Sequence, residues 1–122
     1  MYSLQAAIAA VHAEAASAEE TDWEEIVGLY DVLLRGWPSP VVELNRAAAL
    51  ARRDGPQAGL LAVEAILARG QLHDYHLAHA ARAELCRQLG RRDQARDAYR
   101  TALGLTQQGA ERRFIERRLS EL

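Results

Sequence analysis

Residues 76–105 read HLAHAARAELCRQLGRRDQARDAYRTALGL, and this stretch decides the fold. Apolar residues recur every three to four positions on both sides of Gly90, the spacing of one helical face. Gly90 interrupts the pattern as a helix stop, and Asp93 sits where an acid complements the positive end of a new helix. Two helices joined by so short a turn must fold back on each other. Their contact positions differ in size. Ala83 on the first and Ala95 on the second are small, so the axes can approach; Tyr99 then fills space beside the crossing, with Ala102 one turn on.

The same device recurs upstream. Asp54-Gly55-Pro56 pairs a glycine stop with a proline that opens a helix, and Pro38-Ser39-Pro40 closes one helix and starts another. Thr21-Asp22 precedes WEEIVGLYDVLL with acids in its first turn, Gly70 closes a helix, and Asp74 is placed to cap the next. The expected helices are therefore 2–19, 22–36, 40–53, 56–69, 74–89, 92–106 and 110–121.

A helix pair of about 34 residues with small crossing residues and a large residue on the second helix is the tetratricopeptide pattern. A shift of 35 back from 76–105 aligns Ala48, Gly55, Leu60, Glu64 and Leu67 with Ala83, Gly90, Ala95, Tyr99 and Ala102. A further shift of 34 reaches Ile26, Tyr30 and Leu33, followed by the unit-closing Pro38. Glu14 stands where the first unit should carry a small residue. The expected architecture is an all-α, tetratricopeptide-like α-solenoid, one domain over residues 1–122. Three antiparallel helix pairs are closed by a C-terminal capping helix carrying Phe114, Ile115, Leu119 and Leu122. No pair buries enough surface to stand alone, so pairs stack and share cores.

Composition agrees with close helix packing: 49% of residues are hydrophobic, much of it alanine, and only 6% aromatic. The net charge of −2 does not suit a surface that binds nucleic acid by bulk charge. All 15 basic residues are arginine, so an anionic partner would be met by planar guanidinium groups. The beginning, MYSLQAAIAAVHAEA, lacks a charged n-region and an uninterrupted apolar core, and no run approaches the roughly 18 apolar residues of a membrane span. A cytoplasmic location is expected.

Several stretches together, YSLQAAIAAVHAEA, TDWEEIVGLYDVLL, PSPVVELNRAAAL, DGPQAGL, HAARAELCRQLGR and ERRFIERRLSEL, resemble the C-terminal part of a group of bacterial extracytoplasmic-function RNA polymerase sigma factors. These carry a long tetratricopeptide-like extension behind two sigma domains. The resemblance covers nearly the whole chain. It implies a context of transcription initiation, with the extension setting the sigma factor's activity. The sigma regions that grip the polymerase and read promoter DNA are absent, and no basic recognition helix is present. The implied partners are proteins: the sigma domains of the same factor, RNA polymerase, or a signalling protein. No direct contact with nucleic acid or membrane is implied for this fragment.

Catalytic and metal readings find little support. His73, His76 and His79 are spaced by three, but a zinc site needs three or four ligands in defined geometry; capping and packing roles account for them, and no metal or cofactor is expected. Cys86 lies among Leu85 and Leu89, where a thiol acts as a small hydrophobe. The acids Glu19, Glu20, Asp22, Glu24 and Glu25 cluster at a helix start, where the dipole explains them. No nucleophile elbow or glycine-rich phosphate loop is present, so the chain is not read as an enzyme.

In tetratricopeptide arrays the first helix of each pair lines a concave groove. The register places Ile8, Val11 and Ala15, then Val42, Asn45, Ala49, Arg52 and Arg53, then Leu77, Ala80, Glu84 and Arg87 towards it. Val42, Asn45, Arg52, Leu77, Glu84 and Arg87 are the candidate partner-binding residues. Asn45, the chain's one asparagine, offers two donors and an acceptor to a peptide backbone, while Arg52 and Arg87 would meet carboxylates. In the alternative, Asn45 bonds a neighbouring loop carbonyl and the arginines are solvated or pair with Glu43, Glu84 and Asp54. Arg46 and Arg82 fall at crossings, where pairing is expected, with Glu14 one candidate partner. A different class of function, a small-molecule or metal sensor built on the same groove, remains open, as does homodimerisation through the apolar face of residues 2–19.

Overall fold

A computed structural model of the chain describes residues 22–122, and among these it contains six α-helices and no strand. They are α1 (Trp23–Gly36), α2 (Pro40–Asp54), α3 (Pro56–Ala68), α4 (His76–Gln88), α5 (Arg92–Leu105) and α6 (Gly109–Glu121). The helix expected over 2–19, with Ile8, Val11, Glu14 and Ala15, lies outside the described residues.

The helix ends follow local chemistry. Asp22 caps α1, its carboxylate accepting from the Glu25 N–H at 3.0 Å. Ser39 caps α2 by accepting from the Val42 N–H at 3.4 Å, and Pro40 takes the first turn, where no N–H partner is lost. Gly55 alone separates α2 from α3 and adopts φ 102°, a conformation that side-chain-bearing residues rarely reach. One expected cap fails. Asp74 is exposed and α4 begins two residues later, with Tyr75 at its N-cap. The connection is organised by histidines instead: His73 Nε2 donates to the Leu67 carbonyl at 2.9 Å, and His79 Nε2 to the His73 carbonyl at 2.7 Å. A carbonyl can only accept, so each ring nitrogen carries the proton.

Every helix packs on its neighbours in sequence, and contacts between α2 and α3 and between α4 and α5 are the most extensive. Neighbours run in opposite directions. The start of α1 meets the end of α2 through Trp23 and Arg52, while Asp31 farther along bonds Arg46 nearer the start of α2. Glu43 and Arg69 join the start of α2 to the end of α3, and Glu84 accepts from Tyr99 across α4 and α5. Helices two apart also touch: Arg91, just before α5, donates to Gln57 of α3, and Arg118 of α6 to Glu84 of α4.

The main core joins Leu60, Val63 and Ile66 of α3 to Ala83 and Cys86 of α4, Tyr99 of α5 and Ile115 of α6. A smaller cluster centres on Ile26, Val27 and Ala49, with Trp23, Tyr30 and Leu50 against it. The crossing of α2 and α3 is tight. A Cβ on Gly59 would stand 2.6 Å from the Ala51 Cβ and 3.0 Å from the Ala47 carbonyl oxygen. Glycine is required there by space, not by backbone conformation.

Burial recurs along the chain, but not at the spacing expected. Ala47 and Ala83 are both fully buried, 36 residues apart, as are Gly59 and Ala95, Val63 and Tyr99, and Ile66 and Ala102. Between α1 and α3 the matching shift is 33, aligning Ile26, Val27 and Leu33 with Gly59, Leu60 and Ile66. The middle pair is therefore placed one residue earlier than a shift of 35 puts it. Ala48 is exposed and Ala47 occupies the crossing, while Gly59, Val63 and Ile66 hold the positions expected of Leu60, Glu64 and Leu67. The physical reason is the glycine: only Gly59 lets α3 close on Ala51, and that contact fixes the rotation of both helices.

Candidate functional site

The corrected register defines an exposed stripe on α2 and a matching, partly exposed one on α4. On α2, Val41, Asn45, Ala48 and Arg52 follow one another at i, i+4, i+7 and i+11, the recurrence of a single helix face. All four are exposed. On α4 the matching residues are Leu77, Ala81, Glu84 and Gln88. Both helices run opposite to α3 and are parallel to each other, so their stripes border a common groove. A cleft of about 370 Å³ opens along it, lined by Ala48, Arg52, Ala81, Glu84 and Gln88 over a floor of Ala51, Val63 and Leu85. A second cleft of about 240 Å³ lies on the α1 side, where Asn45, Ala48 and Arg52 face Trp23, Ile26 and Tyr30. Arg52 borders both.

The arginines divide sharply by what they touch. Arg46 donates to Asp31 at 2.6 Å, Arg53 makes a two-point contact with Asp54, Arg69 bonds Glu43 at 2.8 Å, and Arg82 lies 3.4 Å from Glu64. Pairing of Arg46 and Arg82 at the crossings was expected; their partners are Asp31 and Glu64. Arg52 has no carboxylate partner among the described residues. Its guanidinium lies over the Trp23 ring, 5.9 Å from the centroid, an arrangement that orients the fork without neutralising it. Asn45 likewise has no hydrogen-bond partner among the described residues.

Glu84 and Arg87 are engaged within the fold. Glu84 Oε1 accepts from the Tyr99 hydroxyl and from Arg118 Nε at 2.8 Å, and Oε2 accepts from Arg87 Nη2 at 2.9 Å. One half-buried carboxylate thereby fastens α4, α5 and α6 together. Burial pushes its pKa up, but donation from Tyr99, Arg87 and Arg118 outweighs burial and holds it below the ordinary carboxylate value. The Tyr99 phenol moves the other way, raised by burial and by the carboxylate that accepts its proton. Arg87 Nε is buried with no partner, and Arg118 stacks on Phe114 at 5.0 Å.

The remaining sequence candidates fall in several places. Leu77 is 43% exposed near the start of α4 and does not line the cleft; Val42 is only half-exposed, and its neighbour Val41 is the exposed residue on the stripe. Tyr30 is half-buried against the smaller core cluster, and burial alone raises its phenol's pKa. Pro38 lies exposed in the α1–α2 connection, where it lines a cleft of about 350 Å³ with Leu34, Ala62, Ala65 and Ile66. Ala81 and Gln88 are groove residues that sequence reasoning missed. The signal that finds them is Gly59, read as a contact residue.

The histidines do not converge. His76 Nε2 lies 2.9 Å from Glu111 Oε1, while His73 and His79 are committed to backbone carbonyls. Among the described residues no group of three or more His, Cys, Asp or Glu side chains is arranged to hold a metal. Cys86 is buried, and burial raises its thiol pKa. No helix among the described residues is long and apolar enough to cross a membrane.

Over 121 residues, 99% of its length, the chain is 47% identical to an uncharacterized protein of Rhizobium meliloti (strain 1021). It spans only 28% of that relative. The chain matches no protein-family model, and no solved structure matches it.

Proposed function

We propose that this chain is a protein-binding module: a tetratricopeptide-like array that serves as the regulatory extension of an extracytoplasmic-function sigma factor. It acts in the cytoplasm by docking on sigma domains, on RNA polymerase or on a signalling protein, and it carries out no chemistry of its own. The observation that carries this reading is the groove between α2 and α4. Arg52 lines it without a carboxylate partner, and Asn45 lines the adjoining cleft towards α1 without a hydrogen-bond partner, among the described residues. Both side chains are exposed, so a partner could reach them without breaking a contact of the fold.

The repeating burial supports the array. Ala47 and Ala83 recur at helix crossings, Val63 and Tyr99 in the spaces beside them, and each helix packs chiefly on its sequence neighbours. α6 closes the last pair through Ile115. The Rhizobium relative supports a larger parent, since at 28% coverage about 310 of its residues lie outside the match (121/0.28, less 121). That length accommodates the two sigma regions that the sequence resemblance implies.

The test is a pull-down of this chain against the sigma regions encoded with it and against core RNA polymerase, followed by in vitro transcription with and without the module. Binding to one of them, together with a change in transcript yield, is the expected result. If neither binds and yield is unchanged, the sigma-factor reading is wrong.

A further inference from the structure

The outward face of α3 differs from that of its sister helix α5, and we infer that a second copy of this chain docks on it about a two-fold axis, with the two α3 helices antiparallel. Of the 13 residues of α3 only Gln57 and Glu64 carry polar side chains, and both are engaged by neighbours: Gln57 accepts from Arg91, and Glu64 from Arg82. A helix apolar on every side is normally covered on every side. Here one side is open. Ala58, Leu61, Ala65 and Ala68 recur at i, i+3, i+7 and i+10 along it, and Leu61 is 60% exposed. The burial register places Gln94, Asp97, Thr101 and Gly104 of α5 at the same four positions, all exposed and none with an apolar side chain. Water is therefore met by polar groups on α5 and by an apolar stripe on α3.

This face complements itself, which is what selects a second copy as its occupant. Spacings of three, four and three residues read the same from either end, so an antiparallel two-fold pairs Leu61 with the second copy's Ala65, and Ala58 with its Ala68. The large side chain meets a small one. Ala65 also lines, with Leu34, Pro38 and Ile66, the cleft of about 350 Å³, which leaves room beside it for the incoming Leu61. α1 runs in the same direction as α3, since both oppose α2, and its equivalent exposed positions are Glu25, Gly28, Val32 and Arg35. The same operation turns Val32, which is 50% exposed, towards Gly28, and Glu25 towards Arg35. Unlike charges thus face each other twice on the α1 flank. On the α5 flank Asp97 is set against Thr101, a hydroxyl and not a second acid. α3 is roughly 20 Å long, so the contact falls in the small, transient class and the dimer depends on concentration.

The experiment is sedimentation equilibrium of the full chain from about 10 μM to about 1 mM, the range in which a contact of this size assembles. The measured mass should rise from that of one chain towards that of two. Leu61→Glu puts a charge into the contact while leaving the core intact, and should raise the dissociation constant at least about tenfold. Glu25→Arg and Arg35→Glu should each weaken association severalfold. Combined in one chain they should restore it, because the exchanged charges again meet unlike partners. Arg117→Ala, at an exposed position of α6, should change nothing. Circular dichroism establishes that each variant is folded, and the charge exchange reads the same interface without touching Leu61. A chain that stays monomeric throughout, or a dimer indifferent to Leu61→Glu, such as one formed through residues 2–19, would overturn the inference. So would a double exchange that fails to restore association, since it removes the antiparallel pairing. Sigma regions captured by a chain that is monomeric alone, and lost on Leu61→Glu, would assign the face to that partner instead. The outcome is separable from the proposed function: Val63, on the floor of the α2–α4 groove, and Leu61 lie on opposite sides of α3, so either surface can fail alone.

Discussion

Substituting Gly59 by alanine should loosen the α2–α3 crossing, although alanine is the better helix former. Two terms oppose each other. Replacing a mid-helix glycine by alanine favours the helix by about 1 kcal/mol. The added methyl, however, would stand 2.6 Å from the Ala51 Cβ, 3.0 Å from the Ala47 carbonyl oxygen and 3.2 Å from the Ala51 Cα. Carbon atoms pack at about 3.5–4.0 Å, so the helices must separate by roughly 1 Å. Two of the three contacts are backbone and cannot rotate away. Overpacking of this kind costs about 1–3 kcal/mol, and the backbone contacts put Gly59 at the upper end, for a net loss of about 2 kcal/mol. Urea denaturation followed by far-UV circular dichroism would read this as a lower midpoint at unchanged slope. Gly28→Ala and Gly104→Ala are the controls. Both glycines lie within helices with nothing inside 4 Å of an added Cβ, so both variants should gain up to about 1 kcal/mol. A Gly59→Ala protein as stable as these controls would refute the close-crossing argument and the register derived from it.

Other consequences concern the helix fastenings and the buried thiol. Glu84→Gln should cost about 2 kcal/mol at pH 7, since three donors lose their ionised acceptor. Because the folded pKa of Glu84 is lowered, its contribution is full above the unfolded carboxylate range and is lost as pH falls through the folded value. The wild-type chain should therefore lose stability below about pH 4.5, and the Gln variant should lose less over the same interval in parallel urea titrations. Ile115→Ala removes the one buried side chain of α6 and should cost about 2–5 kcal/mol. Limited proteolysis should then cut first within 109–121, and a first cut elsewhere would argue against α6 as a cap held by that residue. Cys86 should react with a thiol reagent far more slowly in the native chain than in denaturant, because it is buried and its thiolate disfavoured.

Much of the helical layout was legible without coordinates. Pro40, Gly55, Pro56, Gly70, Gly90 and Asp22 mark helix ends through interactions contained within one turn, and the observed boundaries fall within about two residues of those expected. Asp74 was misjudged because the connection before α4 is organised by side chains reaching six residues, His73 to Leu67 and His79 to His73. Such contacts have no local signature. Likewise, a half-buried carboxylate with three donors from three helices cannot be told from a solvated groove acid by looking at Glu84 and its sequence neighbours.

For this protein, then, the sequence by itself determined the helical class, the order and ends of the described helices, and the alternation of small and large contact residues. Tertiary structure decided the rotation of each helix about its axis. Gly59 and Leu60 both suit an apolar position, as do Ala47 and Ala48, and an alignment by fixed spacing has no means of choosing between them. The choice is made where α3 touches Ala51, because only a residue without a side chain fits that gap. The change of register puts Val41 on the exposed stripe beside Asn45 and Arg52, where both were already expected, and leaves Val42 half-covered. Which arginine stays without a carboxylate among the described residues is decided by the same packing, since ion pairs form only between residues that it brings within reach.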